Sequence, residues 1–547
     1  MRVDLLKRGR WDGGKLFAFS GVDGVTDYAD GLVARSRFDT VAIDVLTPAK
    51  CSLTFSLGIE TENTVAGDWF EVGGTIRGVF LDAWHLLVEG PCHVTCGADG
   101  VRILQSGGRT LVGTASHFDK ANIEADLQKA LAARRVWTTS LPPPVATRER
   151  TPATYAKAIA QMKTQVCSPE GAIQNRWTTP DRWPHRDMWL WDSAFHAIGL
   201  RHLDASLARD AITAVLNCQG DDGFIPHQMS PTWRSAVTQP PVLALGALLI
   251  HDVAPCADWL ASIYPKLCAY VEWDMKNRDS DGAGLLEWCI EGDPLCRSGE
   301  SGMDNSPRFN DSARIDAVDF NALLAGECEA LATIAKMTGR NEDALRWTAE
   351  HGRLCRLIRE RLWSEEFKFF VDFDLEAGRQ SAVLASSGFF PLVCGAATPE
   401  QAAHLVAALK HPRLFGTPVR IASIAACDLR YSKDMWRGPV WVNVNWLVAR
   451  GLMRYGYAAE AETLREETCR LIETWCAKYG TMFEFYDDRD EVDPPALLRK
   501  GSCAPGDSPY HQVFHDYGWT ATLYVDMIHK RGRTKPGMAL RPGEAVS

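Results

Sequence analysis

Near residue 120 the periodicity of the sequence changes, and with it the kind of structure the chain can form. Between Leu16 and Asp119, short β-prone runs (Thr40 to Leu46, Ser52 to Leu57, Gly78 to Leu81, His85 to Val88, Cys92 to Cys96, Val101 to Leu104) alternate with Gly, Asn and Asp. Runs of that length, spaced about ten residues apart, predict a small antiparallel β-sandwich domain over residues 1–120. Beyond Thr151 the apolar residues recur three and four positions apart, the period of an amphipathic helix. Candidate helices run from Pro152 to Val166, Met188 to His202, Ala205 to Cys218, Pro241 to His251, Ala257 to Lys276, Ala313 to Met337, Asn341 to Leu362, Pro399 to Lys410, Pro439 to Tyr455, Ala458 to Lys478 and Tyr517 to Lys530.

Their connections alternate between short ones and longer ones rich in Gly, Pro, Trp and Asp. That alternation predicts a mainly α fold, an (α/α)6 toroid of six helical hairpins over 151–535 with functional loops gathered at one rim. A charged amphipathic helix from Ala121 to Arg135 and the stiff stretch Leu141 to Val145 make 121–150 a linker. Residues 536–547 read as a frayed tail.

Composition excludes several function classes. Lys and Arg number 59 against 69 Asp and Glu, a formal charge of −10 without long runs of one sign. This gives nucleic-acid binding no electrostatic basis. No apolar stretch approaches the roughly 18 residues a membrane helix needs. Met1 to Val25 lacks the apolar core of a secretory signal, so a cytoplasmic location is expected. Sixteen scattered cysteines without Cys-x-x-Cys pairs read as reduced, mostly buried thiols, and no metal or other cofactor is expected.

Nineteen tryptophans is a large number, and many stand beside Asp, Arg, Gln, His or Gly in the helical part. An indole face covers the C–H face of a sugar while neighbouring amides and carboxylates bond its hydroxyls. A small carbohydrate is therefore the expected partner.

Five segments carry the candidate chemistry. Trp191-Asp192 opens a helix, where Asp192 serves either as a cap or early acidic residue or as a sugar ligand beside the Trp191 wall. Gln219 to Gln239 crowds Gln219, His227, Gln228, Trp233 and Gln239 into one connection. Ser298 to Arg308 is a Gly-rich turn with Asp304 between Glu300 and Arg308. It lacks Gly-Lys-Ser/Thr and is no phosphate loop. In Asp434 to Asn445, Pro439 is expected at the first position of a helix, presenting Trp436, Arg437 and Trp441. In Gly480 to Asp488, Glu484 stands between Phe483 and Phe485, either turned outward or held in a dry site. Two carboxyl groups on separate loops beside sugar-binding types suit glycosidic hydrolysis, with one acid protonating the departing oxygen and one carboxylate activating water. Burial would raise the acid's pKa and keep its proton near neutrality.

These segments, with Gly518-Trp519-Thr520, resemble in order the inverting α-glycosidases of glycoside hydrolase family 63, and more distantly the family 37 trehalases. The resemblance implies an (α/α)6 catalytic domain with Asp304 as general acid and Glu484 as general base. Trp191, Asp192, Gln239, Trp436 and Arg437 would hold the sugar, with Gln219, His227, Glu300, Arg308, Trp441 and Trp519 around them. It also implies small α-glucosides or α-mannosides, glycosylglycerates among them, as substrates. The base segment departs from the family, reading Glu484-Phe-Tyr-Asp487 where Glu-Asn-Tyr-Asn is common. Three alternatives stand beside this reading. One is a trehalase, one a sugar isomerase or epimerase using His196, His227 or His515, and one a non-catalytic sugar-binding protein. Arg308, Arg314 and Arg437 are either partners for an anionic aglycone or structural ion-pair members.

Overall fold

The computed structural model describes residues 11–97, 99–145 and 148–529; the tail expected at 536–547 lies outside these residues. The N-terminal part is antiparallel β-structure: β1 (Leu16–Ala18), β2 (Val33–Ser36), β3 (Ala42–Thr47), β4 (Cys51–Thr54), β5 (Asn63–Val65), β6 (Trp69–Val72), β7 (Ile76–Phe80), β8 (His85–Glu89), β9 (His93–Cys96), β10 (Val101–Ser106) and β11 (Arg109–Thr114). One sheet has the order β1-β2-β3-β4-β9 and the other β10-β11-β8-β7-β6-β5. Period-2 alternation sends Cys51 and Leu53 of β4 inward and leaves Ser52 and Thr54 half-buried. Phe17, Ile43 and Leu53 of the first sheet share one core with Phe70, Phe80, Val88 and Val112 of the second.

The helical part is built from α1 (Leu127–Ser140), α2 (Thr151–Thr164), α3 (Leu190–Leu200), α4 (Ala205–Asn217), α5 (Leu243–Val253), α6 (Ala257–Asn277), α7 (Val318–Met337), α8 (Asn341–Leu357), α9 (Pro391–Cys394), α10 (Pro399–Lys410), α11 (Val442–Arg454), α12 (Ala458–Tyr479) and α13 (Gly518–His529). The protein is thus mainly helical, with a separate antiparallel β region at its N-terminal end. Contacts pass from α3 to α5, α7, α9, α11 and α13 in turn, and α13 packs back on α3. The alternate helices lie against these: α4 on α3 and α5, α6 on α5 and α7, α8 on α7, α12 on α11 and α13, and α2 on α12 and α13. All belong to one continuous apolar core.

Three local expectations are corrected. The helix placed at Pro439 begins at Val442, because Val440 exchanges backbone hydrogen bonds with Tyr486 (2.7 and 3.0 Å) and is held extended. The helix placed at Ala313 begins at Val318, because Ile315–Asp316 pairs with Phe373–Asp374. The helix of the expected linker lies at Leu127–Ser140, and its Leu127 and Leu131 pack with Trp69, Val79 and Leu87 of the second sheet.

The β region also reaches the segment that follows α12. Lys15 Nζ lies 2.8 Å from Asp516 Oδ2, both side chains buried. The Leu16 N–H donates to the same oxygen at 2.8 Å, and the Thr481 hydroxyl donates to Asp516 Oδ1 at 2.7 Å. No helix among the described residues is long and apolar enough to cross a membrane.

Candidate active site

A cavity of about 300 Å³ opens where the loops before α3, α5, α11 and α13 meet the turn that precedes α7, and Trp191, Asp192, His227, Gln239, Asp304, Trp436, Trp441, Glu484 and Trp519 all line it. This is the lower end of the size usual for small-molecule sites. Residues as far apart as 180 and 519 contribute, so the fold, not local sequence, assembles the wall.

The aromatic wall is continuous. Trp436 and Trp441 stack face to face, 3.8 Å between centroids and 5° between planes. Trp519 meets Trp441 edge-on at 5.8 Å and Trp191 edge-on at 5.4 Å. The indole N–H groups of Trp189, Trp436 and Trp519 are buried without a hydrogen-bond partner among the described residues. A buried donor left unpaired costs about 1–3 kcal/mol, so such donors on a cavity wall suit a hydroxyl-rich ligand.

Asp304 sits in the turn before α7. The Arg297 and Ser298 N–H groups bond its carbonyl at 2.8 and 3.3 Å, and the side chain of the next residue, Asn305, accepts the Trp436 N–H at 3.0 Å. Gly302 has φ +68°, and a Cβ there would come within 2.4 Å of the Trp191 ring. Only glycine allows this approach of the acidic turn to the wall. Glu484 follows α12, which ends on Gly480 in the left-handed conformation. The Glu484 N–H donates to Phe514 O at 3.0 Å, and its side chain is buried. Asp192 lies in the first turn of α3, as an early acidic residue, with the N-cap at Trp189. The Tyr517 hydroxyl faces it at 3.4 Å. Gln239 accepts the Trp191 N–H at 3.1 Å, which fixes that indole's helix to the next loop.

Two cations that no motif marks set the electrostatics. Arg499 donates through Nε to Glu484 Oε2 at 2.9 Å, and Lys500 Nζ lies 3.5 Å from Asp304 Oδ2. Burial pushes the Glu484 carboxyl up, and Arg499 only partly opposes this, so it stays above its ordinary value. Burial pushes Asp304 up as well, but Lys500, Arg499 and Cys296 together outweigh it and hold that carboxyl below its ordinary value. The expectation that burial alone keeps Asp304 protonated is therefore corrected: the neighbouring groups, Lys500 foremost, outweigh it. Asp192 is held well above its ordinary value by burial, and Glu484 adds to this.

Four expected site residues do not reach the cavity wall. Gln219 donates to Gly223 O (3.0 Å) and Lys266 O (2.9 Å), tying its loop to α6. Glu300 accepts from Thr238 N, Cys289 N and Arg278, which occupies both oxygens in a buried brace. Arg308 forms bidentate pairs with Asp319 and Asp372, all buried. Arg437 donates to Asn310 Oδ1 at 3.0 Å. Arg314 points to Ser280 and Glu287.

Burial disfavours the charged form of the three candidate histidines. Burial lowers His196 to about 3 and His227 to about 4, and His515 well below its ordinary value. His196 bonds Thr178 through Nδ1 at 2.8 Å, and neither it nor His515 lines the cavity. Among the described residues, groups of three side chains able to hold a metal occur at Asp27, Asp30 and His117 and at Asp279, Asp281 and Glu287; neither group lines this cavity.

The model of the mannosylglycerate hydrolase MGH1-like glycoside hydrolase domain matches residues 184–520, more than half of the chain and every residue lining the cavity except Pro180. The mannosylglycerate hydrolase MGH1 of Selaginella moellendorffii is 27% identical over 403 residues, 57% of this chain and 78% of that protein. The glucosylglycerate hydrolase of Mycolicibacterium hassiacum is 25% identical over 417 residues, 56% and 87% of the two. The crystal structure of the GH63 mannosylglycerate hydrolase from Thermus thermophilus in complex with glucose shares the fold, with TM-score 0.56 at 24% identity over 68% of this chain and 99% of that one. The chain is a glycosidase and belongs to the MGH1-like members of glycoside hydrolase family 63.

Proposed function

We propose that the cavity hydrolyses a small α-glucoside or α-mannoside with inversion, Asp304 acting as general acid and Glu484 as general base. The observation that carries this reading is the pair of carboxyl groups on one tryptophan-walled cavity, each held by its own cation. Asp304 donates a proton to the glycosidic oxygen as the bond from that oxygen to the anomeric carbon breaks. Glu484 takes a proton from a water molecule on the opposite face of the ring, and the water oxygen forms the new bond to that carbon. Exchange with solvent then returns Asp304 to its acid form and Glu484 to its carboxylate.

Trp191, Trp436, Trp441 and Trp519 form the apolar wall for the sugar, and Asp192, Gln239 and His227 bond its hydroxyls. A sugar filling the cavity removes water from Asp304 and adds to the upward push that burial already exerts on it. The order of helix contacts, from α3 round to α13 and back, supports an (α/α)6 toroid over 151–535 whose rim loops carry the site. The sandwich of residues 1–120 is read as a separate domain buttressing the segment that bears Glu484. The names of the relatives support a glycosylglycerate as the substrate.

The variants Asp304→Asn and Glu484→Gln test the roles. Each should lower hydrolysis of α-glucosyl- and α-mannosylglycerate by about 100-fold or more, the usual contribution of an acid or base. Undiminished hydrolysis by either variant overturns that assignment. Intact binding with no hydrolysis by the native chain would favour a sugar-binding protein.

A further inference from the structure

Arg499 and Lys500 are the lysine and arginine side chains on the described wall of the cavity, and they sit on one tight turn. Lys500 and Gly501 both adopt left-handed backbone conformations, with φ 55° and 78°. The turn is pinned by the Arg499 N–H to Ser502 O at 2.8 Å and by the Gly501 N–H to Asp434 Oδ2 at 3.1 Å. A non-glycine residue in this conformation is uncommon and persists where its surroundings impose it. Here the result is that consecutive side chains reach opposite partners, Arg499 to Glu484 and Lys500 to Asp304.

The two cations differ in access. The Arg499 side chain is 4% exposed, against 24% for Lys500 and 20% for the Asp304 carboxyl it faces. Arg499 is locked against the Phe514 ring and the Tyr510 carbonyl. Lys500 lines the cavity and is partly exposed. Arg308, Arg314 and Arg437, the candidates for an anionic aglycone, are engaged elsewhere.

A general acid must hold a proton, yet Asp304 is paired with an ammonium that favours its ionised form. The groups facing Asp304 are Lys500 and Arg499 from this turn, Cys296 from its own loop and the neutral His227. Those facing Lys500 are Asp304, Cys296 and Tyr510. Of these, Lys500 alone combines a full charge on Asp304 with partial exposure.

We propose that Lys500 makes the enzyme selective for a charged aglycone: its ammonium leaves Asp304 for the carboxylate of the aglycone, and Asp304 is thereby freed to carry the proton it delivers. This deepens the proposed function and rests on Asp304 being the acid. The productive form has Asp304 protonated and Glu484 ionised. While the acid is the stronger of the two carboxyls, each unit of rise in its pKa increases the population of that form about tenfold. A neutral aglycone leaves the Lys500 pair intact and most of the enzyme in the wrong protonation state.

The test uses matched α-glycosides of glycerate and of glycerol, on glucose and on mannose, with kcat and KM followed across pH. In the native chain, kcat at the pH optimum should be about tenfold or more higher for the glycerate compound. Lys500→Met should raise kcat on the glycerol compound by about the same factor, displace its pH profile upward and raise KM for the glycerate compound. Lys500→Arg, which keeps the charge, should retain the preference. Equal kcat on the two aglycones in the native chain, or a Lys500→Met variant that loses both activities alike with unmoved profiles, overturns the proposal. Hydrolysis undiminished by Asp304→Asn, or hydrolysis of none of the four compounds, overturns the underlying reading and this proposal with it.

Discussion

Arg499 grips Glu484 through Nε at 2.9 Å and Nη2 at 3.4 Å, while the very next side chain faces Asp304. One turn therefore places a cation on each of the two carboxyls proposed to act as acid and base, although they are 180 residues apart in sequence.

The Arg499 charge lowers both Glu484 and Asp304. Arg499→Met removes a cation from each, so both carboxyls should rise. The bell of kcat/KM against pH should move as a whole to higher pH, by about one unit or more. The direction holds whichever carboxyl governs which limb, because both shift the same way. An unmoved or lowered bell would contradict the charge arrangement described here.

Arg308 belongs to the frame. Arg308→Met leaves Asp319 and Asp372 buried with no guanidinium between them. Breaking such a set costs about 3–5 kcal/mol, which urea unfolding of the variant should register. A variant of native stability but impaired sugar binding would return Arg308 to the substrate site.

The β region should matter for the stability of the helical part. Lys15→Met leaves Asp516 buried beside Thr481, three residues from Glu484, without its ammonium. A loss of about 3–5 kcal/mol is expected, visible as a lower urea midpoint with an unchanged slope. An unaltered midpoint would show that the contact between β1 and the segment preceding α13 carries no weight.

Gly302→Ala puts a methyl group against the Trp191 ring in a backbone conformation that L-residues rarely adopt. The strain is about 1–3 kcal/mol. Displacement of the turn from Trp191 should lower kcat through Asp304. Native kcat in this variant would mean that the acidic turn does not depend on this close approach.

Much of this is legible in the residues because period and order are local. The 2- and 3.6-residue periods separate β from helix at residue 120, and nine of the thirteen named site residues line one cavity. What escapes is non-local. The short strands β1, β2, β5 and β6 carry too few alternations to register, and α9 has four residues and no period. Glu300 and Arg308 sit in the right motif, but their charged partners are Arg278 just past α6, Asp319 in α7 and Asp372, so no neighbour in sequence marks them as structural. Arg499 and Lys500 lie in a loop of ordinary composition. The one available signal is Gly501, a residue type that adopts a left-handed turn at no steric cost. The protonation of Asp304 escapes for the same reason, since its burial is inferable and the lysine beside it is not.

The anomer first released decides the central claim. With an α-glucoside or α-mannoside followed by proton NMR faster than mutarotation, attack by water from the Glu484 face delivers the β-anomer first, and the α-anomer grows only as the two equilibrate. Initial release of the α-anomer would require a covalent intermediate and would contradict the acid–base pairing of Asp304 and Glu484.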